Sequence, residues 1–157
     1  MGWEPAPPPE WLVRLNAHGD AVGGAEHLVS LDPDDLLAAA VASTGGLEDF
    51  GGDTWRPHFE MLVSTLQEQA HLTLAGRLVA RTELLRALRQ RLLLAAAWKD
   101  DPSILEEPIE QPVFVIGTAR SGTSILHELL ALDERSRVPL TWELLHPGEA
   151  IGPPEVA

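Results

Sequence analysis

The sequence predicts an α/β protein of the phosphate-binding-loop type, in which an all-helical N-terminal region precedes the start of a parallel sheet. Two observations favour this class. Apolar residues recur at helical intervals over residues 31–100, whereas residues 113–116 form a short apolar run typical of a strand buried on both faces. A glycine-bounded loop and an amphipathic helix follow that run. Because a lone parallel strand leaves its edges unpaired, we expect an incomplete sheet of one or two strands in a mostly α-helical chain.

The N-terminal segment, residues 1–30, is predicted to be irregular apart from a short turn around Glu10–Leu15. Its prolines at positions 5, 7, 8 and 9 and its glycines at 19, 23 and 24 are typical of loops. The first helix is expected to begin after Asp32, which can cap it, with Pro33 at the first helical position. Gly45 and Gly46 are expected to end this helix.

Two further helices complete the predicted helical region of residues 31–100. One is expected to be capped by Asp53 or Thr54 and carries a single apolar stripe, formed by Phe59, Leu62, Val63, Leu66 and Ala70. The other covers roughly Thr73–Trp98. Five arginines on this long helix are expected to form a solvated face that pairs with acidic neighbours: Arg77, Arg81, Arg86, Arg89 and Arg91.

Prolines mark residues 101–111 as a linker, and residues 112–157 are predicted to begin a second domain. There the strand Val113–Ile116 leads into Gly117-x4-Gly122 followed by Thr123-Ser124. This spacing is close to the nucleotide-triphosphate loop G-x-x-x-x-G-K-[ST], but Thr123 occupies the lysine position. The loop keeps a single cation, Arg120. A loop with this arrangement is expected to bind a different anhydride.

The loop residues suit an anion for separate physical reasons. Gly122 permits close approach of the backbone, and the amides that open the following helix lack intrahelical partners. Arg120 adds a permanent forked cation that matches two oxygens at once. The alternative is a plain strand-to-helix turn with an exposed arginine. The predicted anion-binding residues are Gly117, Thr118, Ala119, Arg120, Ser121, Gly122, Thr123 and Ser124.

A second strand is predicted over Val138–Trp142, returning parallel to the first. In a right-handed β-α-β unit the carboxyl ends of both strands lie at one rim, which would bring Glu143 beside the loop. Glu143 is therefore a candidate general base, although a helix-start or salt-bridging role is the alternative. His127 is expected to serve in helix packing rather than in the site, and His146 is a weaker candidate for the same rim.

Composition and charge limit the classes of function. A net charge of −13 argues against non-specific nucleic-acid binding. The chain has no cysteine, and its histidines show no spacing typical of metal ligands, so no metal site is expected. The longest apolar runs, Leu36–Ala42 and Leu92–Trp98, are too short to cross a bilayer, and the acidic N-terminus does not resemble a signal peptide. We expect a cytoplasmic protein; oligomeric state is left open.

Residues 112–147 resemble the opening of the sulfotransferase family. The run Arg120-Ser121-Gly122-Thr123-Ser124 matches the family's [KR]-S-G-T-[ST] loop, which binds 3′-phosphoadenylyl sulfate. The later P-L-T-W-E stretch and the Glu-Pro-Ile-x-x-Pro linker at Glu107–Pro112 resemble the large bacterial branch, whose members also carry a helical N-terminal region. Many relatives have proline where this chain has Ala119.

The resemblance implies transfer of a sulfuryl group from 3′-phosphoadenylyl sulfate to a hydroxyl or amine of a small-molecule acceptor, without a metal. Arg120 and the amides of Gly122–Ser124 would stabilise charge on the departing phosphate, and Glu143 would be the base. The family's arginine and serine for the 3′-phosphate lie after the second strand, so they are expected to be absent from these 157 residues. Activity of this piece alone is therefore doubtful.

Two other functions are weighed against this one. The first is a truncated, non-catalytic helical chain or partner protein, because the chain holds only part of a donor site. The second is a nucleotide-triphosphate kinase or hydrolase, which requires a lysine at position 123 and an acidic magnesium ligand after a later strand. Thr123 removes the first of these requirements.

Overall fold

The structure is a computed structural model that describes residues 6–150. Seven α-helices lie in these residues: α1 (Glu10–Ala21), α2 (Pro33–Ser43), α3 (Arg56–Glu68), α4 (Leu74–Asp100), α5 (Thr123–Leu130), α6 (Thr141–Leu145) and α7 (Pro147–Ala150). Three short 3₁₀ segments join them: Ala25–His27, Asp53–Trp55 and Pro102–Glu106. The chain divides into two compact units after Ala96.

The start of α2 follows directly from its sequence. The Asp32 carboxylate accepts the backbone N–H groups of Asp34 and Asp35, both at 3.0 Å, and Pro33 occupies the first turn. After the helix, Gly45 and Gly46 adopt positive φ angles of 73° and 101°. The predicted cap and stop of this helix are therefore confirmed.

The core of the first unit is formed by one face of α4 packed against α2, α3 and the segment before α2. On α4 the buried leucines recur every four residues, which places them on one face of the helix. The buried core comprises Leu31, Leu36, Leu37, Ala40, Phe59, Val63, Leu84, Leu88 and Leu92. Leu36, Val63 and Leu92 are fully inaccessible to solvent.

Several arginines of α4 tie loops to the helix instead of forming a purely solvated face. Arg77 is buried and donates its Nε–H to the Val29 carbonyl at 2.8 Å. Arg81 donates to the Ser30 carbonyl and pairs with the Asp35 carboxylate at 2.8 Å. The prediction of solvated arginines was thus wrong for Arg77, because a guanidinium with carbonyl partners can be buried.

Two local predictions in the first unit were wrong. The segment expected to be irregular contains helix α1, whose start at Glu10 follows the prolines and whose buried Gly19 packs near Ala25 and Leu74. The third helix begins at Arg56, after a 3₁₀ turn at Asp53–Trp55, and no side chain caps it. Neither helix has a side-chain cap at its start.

In the second unit, neither predicted strand forms within residues 6–150. Residues 112–117 do not form a strand, and Val113, Phe114 and Ile116 are 78–90% exposed. The second segment, predicted as a strand over Val138–Trp142, instead enters helix α6 at Thr141. A strand exists only through hydrogen bonds to a neighbouring strand, and the described residues supply none. The part of the fold that is present is helical.

Across residues 6–150, none of the helices is both long enough and apolar enough to cross a lipid bilayer.

Candidate anion-binding loop

The predicted loop folds as a hydrogen-bonded turn at the start of α5. The Ser121 N–H donates to the Thr118 carbonyl at 3.1 Å, which closes a four-residue turn over 118–121. Arg120, at the third position, has φ = +68°, whereas Ala119 has no positive φ. A positive φ at only the third position defines a type II turn, where glycine is the usual residue. An arginine therefore occupies a conformation that disfavours it.

The two glycines of the motif serve different steric purposes. A Cβ on Gly117 would lie 2.8 Å from the Thr123 Cγ2 methyl and closer still to Ser121 Oγ, so the turn folds directly over this residue. Gly122 caps α5 with φ = +90°, and a Cβ there would meet no atom within 4 Å. The loop is therefore closed over Gly117 and open beside Gly122.

The amides at the beginning of α5 are available to a ligand. The first hydrogen bond of the helix runs from the Leu126 N–H to the Gly122 carbonyl at 3.1 Å. The amides of Thr123, Ser124 and Ile125 therefore precede the helical ladder, as the first amides of any helix do. The positive end of the helix dipole adds a further preference for an anion there.

Arg120 is the loop's only cation, and its side chain is exposed. Among the described residues its guanidinium has no ion-pair or hydrogen-bond partner. By contrast, Arg135 pairs with Asp133 at 2.9 Å and Arg137 pairs with Glu143 at 2.8 Å. Arg120 is thus the arginine of this region that remains available for an anion.

A cavity of about 600 Å³ adjoins the start of α5. Thr123, Ser124 and His127 line it from α5, and Thr141 and Leu144 line it from α6. Thr141 was missed by the sequence analysis because it fell inside the predicted second strand. A prediction of helix for residues 141–145 would have placed the Thr141 hydroxyl at the start of that helix and so identified it as a candidate.

Glu143 is placed at the third position of α6, where it binds the start of its own helix. Its Oε2 accepts the Leu140 N–H at 2.6 Å, and its Oε1 accepts from Arg137 Nη2 at 2.8 Å. These contacts match the helix-start and salt-bridging alternative. Glu143 does not line the cavity that holds Thr123 and Ser124. Its role as a base stays a prediction.

The two candidate histidines, His127 and His146, lie in different surroundings. His127 is half-buried and lines the cavity at the start of α5 as well as a second one of about 440 Å³. His146 follows α6 and lies 3.1 Å from the Glu149 carboxylate through its Nδ1. Within residues 6–150, no three histidine, aspartate or glutamate side chains group as metal ligands would.

Comparison with known proteins gives partial matches to sulfotransferases. The omega-hydroxy-beta-dihydromenaquinone-9 sulfotransferases Stf3 of Mycobacterium bovis and Mycobacterium tuberculosis are each 45% identical over 38 residues, which is 24% of this chain. The crystal structure of sulfotransferase STF1 from Mycobacterium tuberculosis matches with a TM-score of 0.70 and 36% identity over 74% of this chain. No protein-family model matches.

These matches cover only part of each relative. The aligned segment spans 10% of the curated relatives and 32% of the solved structure. In each comparison the similarity therefore covers only a portion of the relative.

Proposed function

We propose that this chain, which is related to sulfotransferases, carries the donor-binding loop of an enzyme that transfers a sulfuryl group from 3′-phosphoadenylyl sulfate to a hydroxyl or amine. The observation that carries the proposal is the loop itself. An unpaired arginine, three helix-start amides and a glycine with open space beside it all belong to one nine-residue segment, 117–125. This combination suits an anion with several oxygens.

The proposed chemistry follows the logic of phosphoryl transfer, in which positioning and charge stabilisation dominate. The bond between sulfur and the bridging phosphate oxygen breaks while the acceptor oxygen or nitrogen bonds to sulfur. Arg120 and the amides of Thr123 and Ser124 stabilise the negative charge that develops on the departing phosphate. None of these contacts requires a metal ion.

Glu143 is proposed to accept the proton of the attacking acceptor. Its carboxylate already accepts two hydrogen bonds, one on each oxygen. Because a carboxylate has about four lone-pair sites, each oxygen retains capacity for a further donor. The Leu140 and Arg137 contacts are therefore compatible with this role.

The proposed domain arrangement has residues 31–100 as a helical region, 101–111 as a linker and 112–157 as the start of the donor-binding domain. The acceptor is proposed to be a small molecule.

Replacement of Arg120 tests the donor site. Arg120→Ala should weaken binding of adenosine 3′,5′-bisphosphate by about 10–100-fold, because a charge-assisted hydrogen bond contributes about 1.5–3 kcal/mol. Calorimetry measures the affinity. Arg135→Ala is the matched control, since that exposed guanidinium is already paired with Asp133. Equal affinities for Arg120→Ala and the unaltered chain would refute the assignment.

The same titration separates the proposal from a nucleotide-triphosphate enzyme. A kinase or hydrolase of that type would bind magnesium-ATP more tightly than adenosine 3′,5′-bisphosphate, even though Thr123 occupies the lysine position. We expect the reverse order of affinity.

The second candidate function, a non-catalytic helical chain, is favoured by one observation. Val113, Phe114 and Ile116 are exposed and form no strand in the described part of the chain. A chain of this kind should bind neither nucleotide, and its second unit should lack fixed tertiary packing. Near-ultraviolet circular dichroism together with the titration distinguishes the two candidates.

A further inference from the structure

We infer that Arg137 is a positioning residue, which orients the Glu143 carboxylate for proton transfer. The inference rests on the proposed function, because that proposal gives Glu143 the role of base. The sequence predicts Glu143 as a candidate base and gives no role to Arg137. The structure joins them: Arg137 Nη2 lies 2.8 Å from Glu143 Oε1.

The carboxylate is held at both oxygens by donors of different kinds. The Leu140 N–H, 2.6 Å from Oε2, belongs to the backbone at the start of α6. Arg137 is a side chain from the irregular segment that precedes that helix. Because each oxygen accepts one hydrogen bond, rotation of the carboxylate out of its plane would break both hydrogen bonds. The plane of the carboxylate, and hence the direction of its free lone pairs, is therefore fixed.

The burial of the two partners indicates that the pair serves to orient and contributes little to stability. The Glu143 side chain is 20% exposed, whereas that of Arg137 is 76% exposed. Exposed ion pairs typically add little to the free energy of unfolding. Removal of Arg137 should therefore loosen the carboxylate without unfolding α6, since the backbone hydrogen bond from the Leu144 N–H to the Leu140 carbonyl does not involve Arg137.

Arg137 also lines a cavity next to helix α5. It lines the cavity of about 440 Å³, which shares Val115, His127 and Pro139 with the cavity lined by Thr123 and Ser124. A group that enters from this side meets the guanidinium of Arg137 and the α5 face that begins at the loop. Arg137 therefore contacts the Glu143 carboxylate and also lines a cavity that adjoins α5.

Arg137→Ala and Arg137→Lys in the full chain test this inference, with Arg135→Ala as the matched control. Arg135 lines the same cavity but pairs with Asp133, so its removal deletes a charge without affecting Glu143. The reaction followed is hydrolysis of 3′-phosphoadenylyl sulfate, in which water is the acceptor. The S–O bond to phosphate breaks, water oxygen bonds to sulfur, Glu143 takes the proton, and sulfate and adenosine 3′,5′-bisphosphate leave.

We expect Arg137→Ala to lower kcat by about tenfold, part of the 10²–10⁴-fold that a general base contributes. Affinity for adenosine 3′,5′-bisphosphate should stay unchanged, and Arg137→Lys should recover part of kcat. Hydrogen exchange at the Leu140 amide should accelerate in Arg137→Ala, because its acceptor becomes mobile. Arg135→Ala should change none of these quantities.

An unchanged or higher kcat in Arg137→Ala, or an equal loss in Arg135→Ala, overturns the inference. The proposed function fails separately, if the unaltered chain binds no adenosine 3′,5′-bisphosphate. In that event Glu143 has no role as a base and Arg137 has no role in catalysis. The rate of hydrogen exchange at the Leu140 amide then measures only the stability of the start of α6.

Discussion

At the scale of single residues, the conformation of Arg120 is the most informative feature of the loop. Its φ of +68° places a long, charged side chain where glycine is favoured. Backbone strain of this kind concentrates at sites where function requires it. A turn selected for stability alone would have glycine at position 120. The arginine is thus consistent with selection for the anion that it would bind.

This conformation predicts opposite effects of two substitutions on stability. Arg120→Gly should leave the free energy of unfolding unchanged or raise it by up to about 1 kcal/mol, because strain is relieved while chain entropy is lost. Arg120→Val should destabilise the turn, since a β-branched residue tolerates positive φ poorly. Urea denaturation measures both. Greater stability of the valine variant would contradict the assigned turn.

Gly117 gives a second prediction at this scale, one that concerns packing. Gly117→Ala should displace Ser121 and Thr123, because the new methyl group would overlap both side chains. The affinity for adenosine 3′,5′-bisphosphate should fall with the displaced amides. Gly45→Ala is the control for a glycine change as such, since Gly45 has a positive φ but no atom near its absent Cβ. Calorimetry should show reduced binding only for Gly117→Ala.

At the scale of elements, the attachment of residues 28–35 to α4 depends on arginines. Arg81 donates a hydrogen bond to the Ser30 carbonyl and forms an ion pair with the Asp35 carboxylate. The buried Arg77 donates a hydrogen bond to the Val29 carbonyl. The hydrogen bond from Arg81 holds the pKa of Asp35 below its ordinary value. Charge pairing thus reinforces a contact that the buried leucines of α2 and α4 already establish.

The lowered pKa of Asp35 predicts a pH dependence with a definite sign. A carboxyl whose pKa is depressed in the folded state stabilises it above the unfolded pKa, and this contribution is lost as pH falls through the folded value. The ordinary pKa of an aspartate carboxyl is 3.8, so the loss should occur below about pH 4. The effect should be small because the carboxylate is about half exposed. Asp35→Asn should remove this part of the acid sensitivity in urea denaturation at pH 7 and pH 3.

At the scale of the whole molecule, the two units differ in how their apolar residues are covered. Leu92 of the first unit is fully buried, whereas Ile116 of the second is 90% exposed. Removal of a fully buried leucine leaves a cavity, and removal of an exposed side chain does not. The first unit has a closed core, while the apolar residues next to the loop contact solvent.

This contrast predicts different costs for two truncations. Leu92→Ala should lower the free energy of unfolding by about 2–5 kcal/mol, and Ile116→Ala should change it by less than about 0.5 kcal/mol. Chemical denaturation of the full chain compares them. A large loss in Ile116→Ala would show that residues 113–116 are covered by another surface in solution.

The sequence by itself determined the features that depend on neighbouring residues. Asp32, Pro33 and the Gly45-Gly46 pair predicted the limits of α2, because capping and left-handed turns need only a few consecutive residues. The same local logic located Gly117, Arg120 and Gly122 in a turn before a helix. The relationship to sulfotransferases was evident from the loop for the same reason.

Only the tertiary structure decided the features whose partners lie elsewhere along the chain. A strand needs a neighbouring strand, so the apolar run at residues 113–116 was insufficient evidence for one. The buried Arg77 depends on a carbonyl 48 residues away, and the contact of Gly19 in helix α1 with Leu74 also joins residues far apart in the sequence. The hydrogen-bond partners of Glu143, Leu140 and Arg137, are only three and six residues away. They could be predicted only once the start of a helix at Thr141 was known.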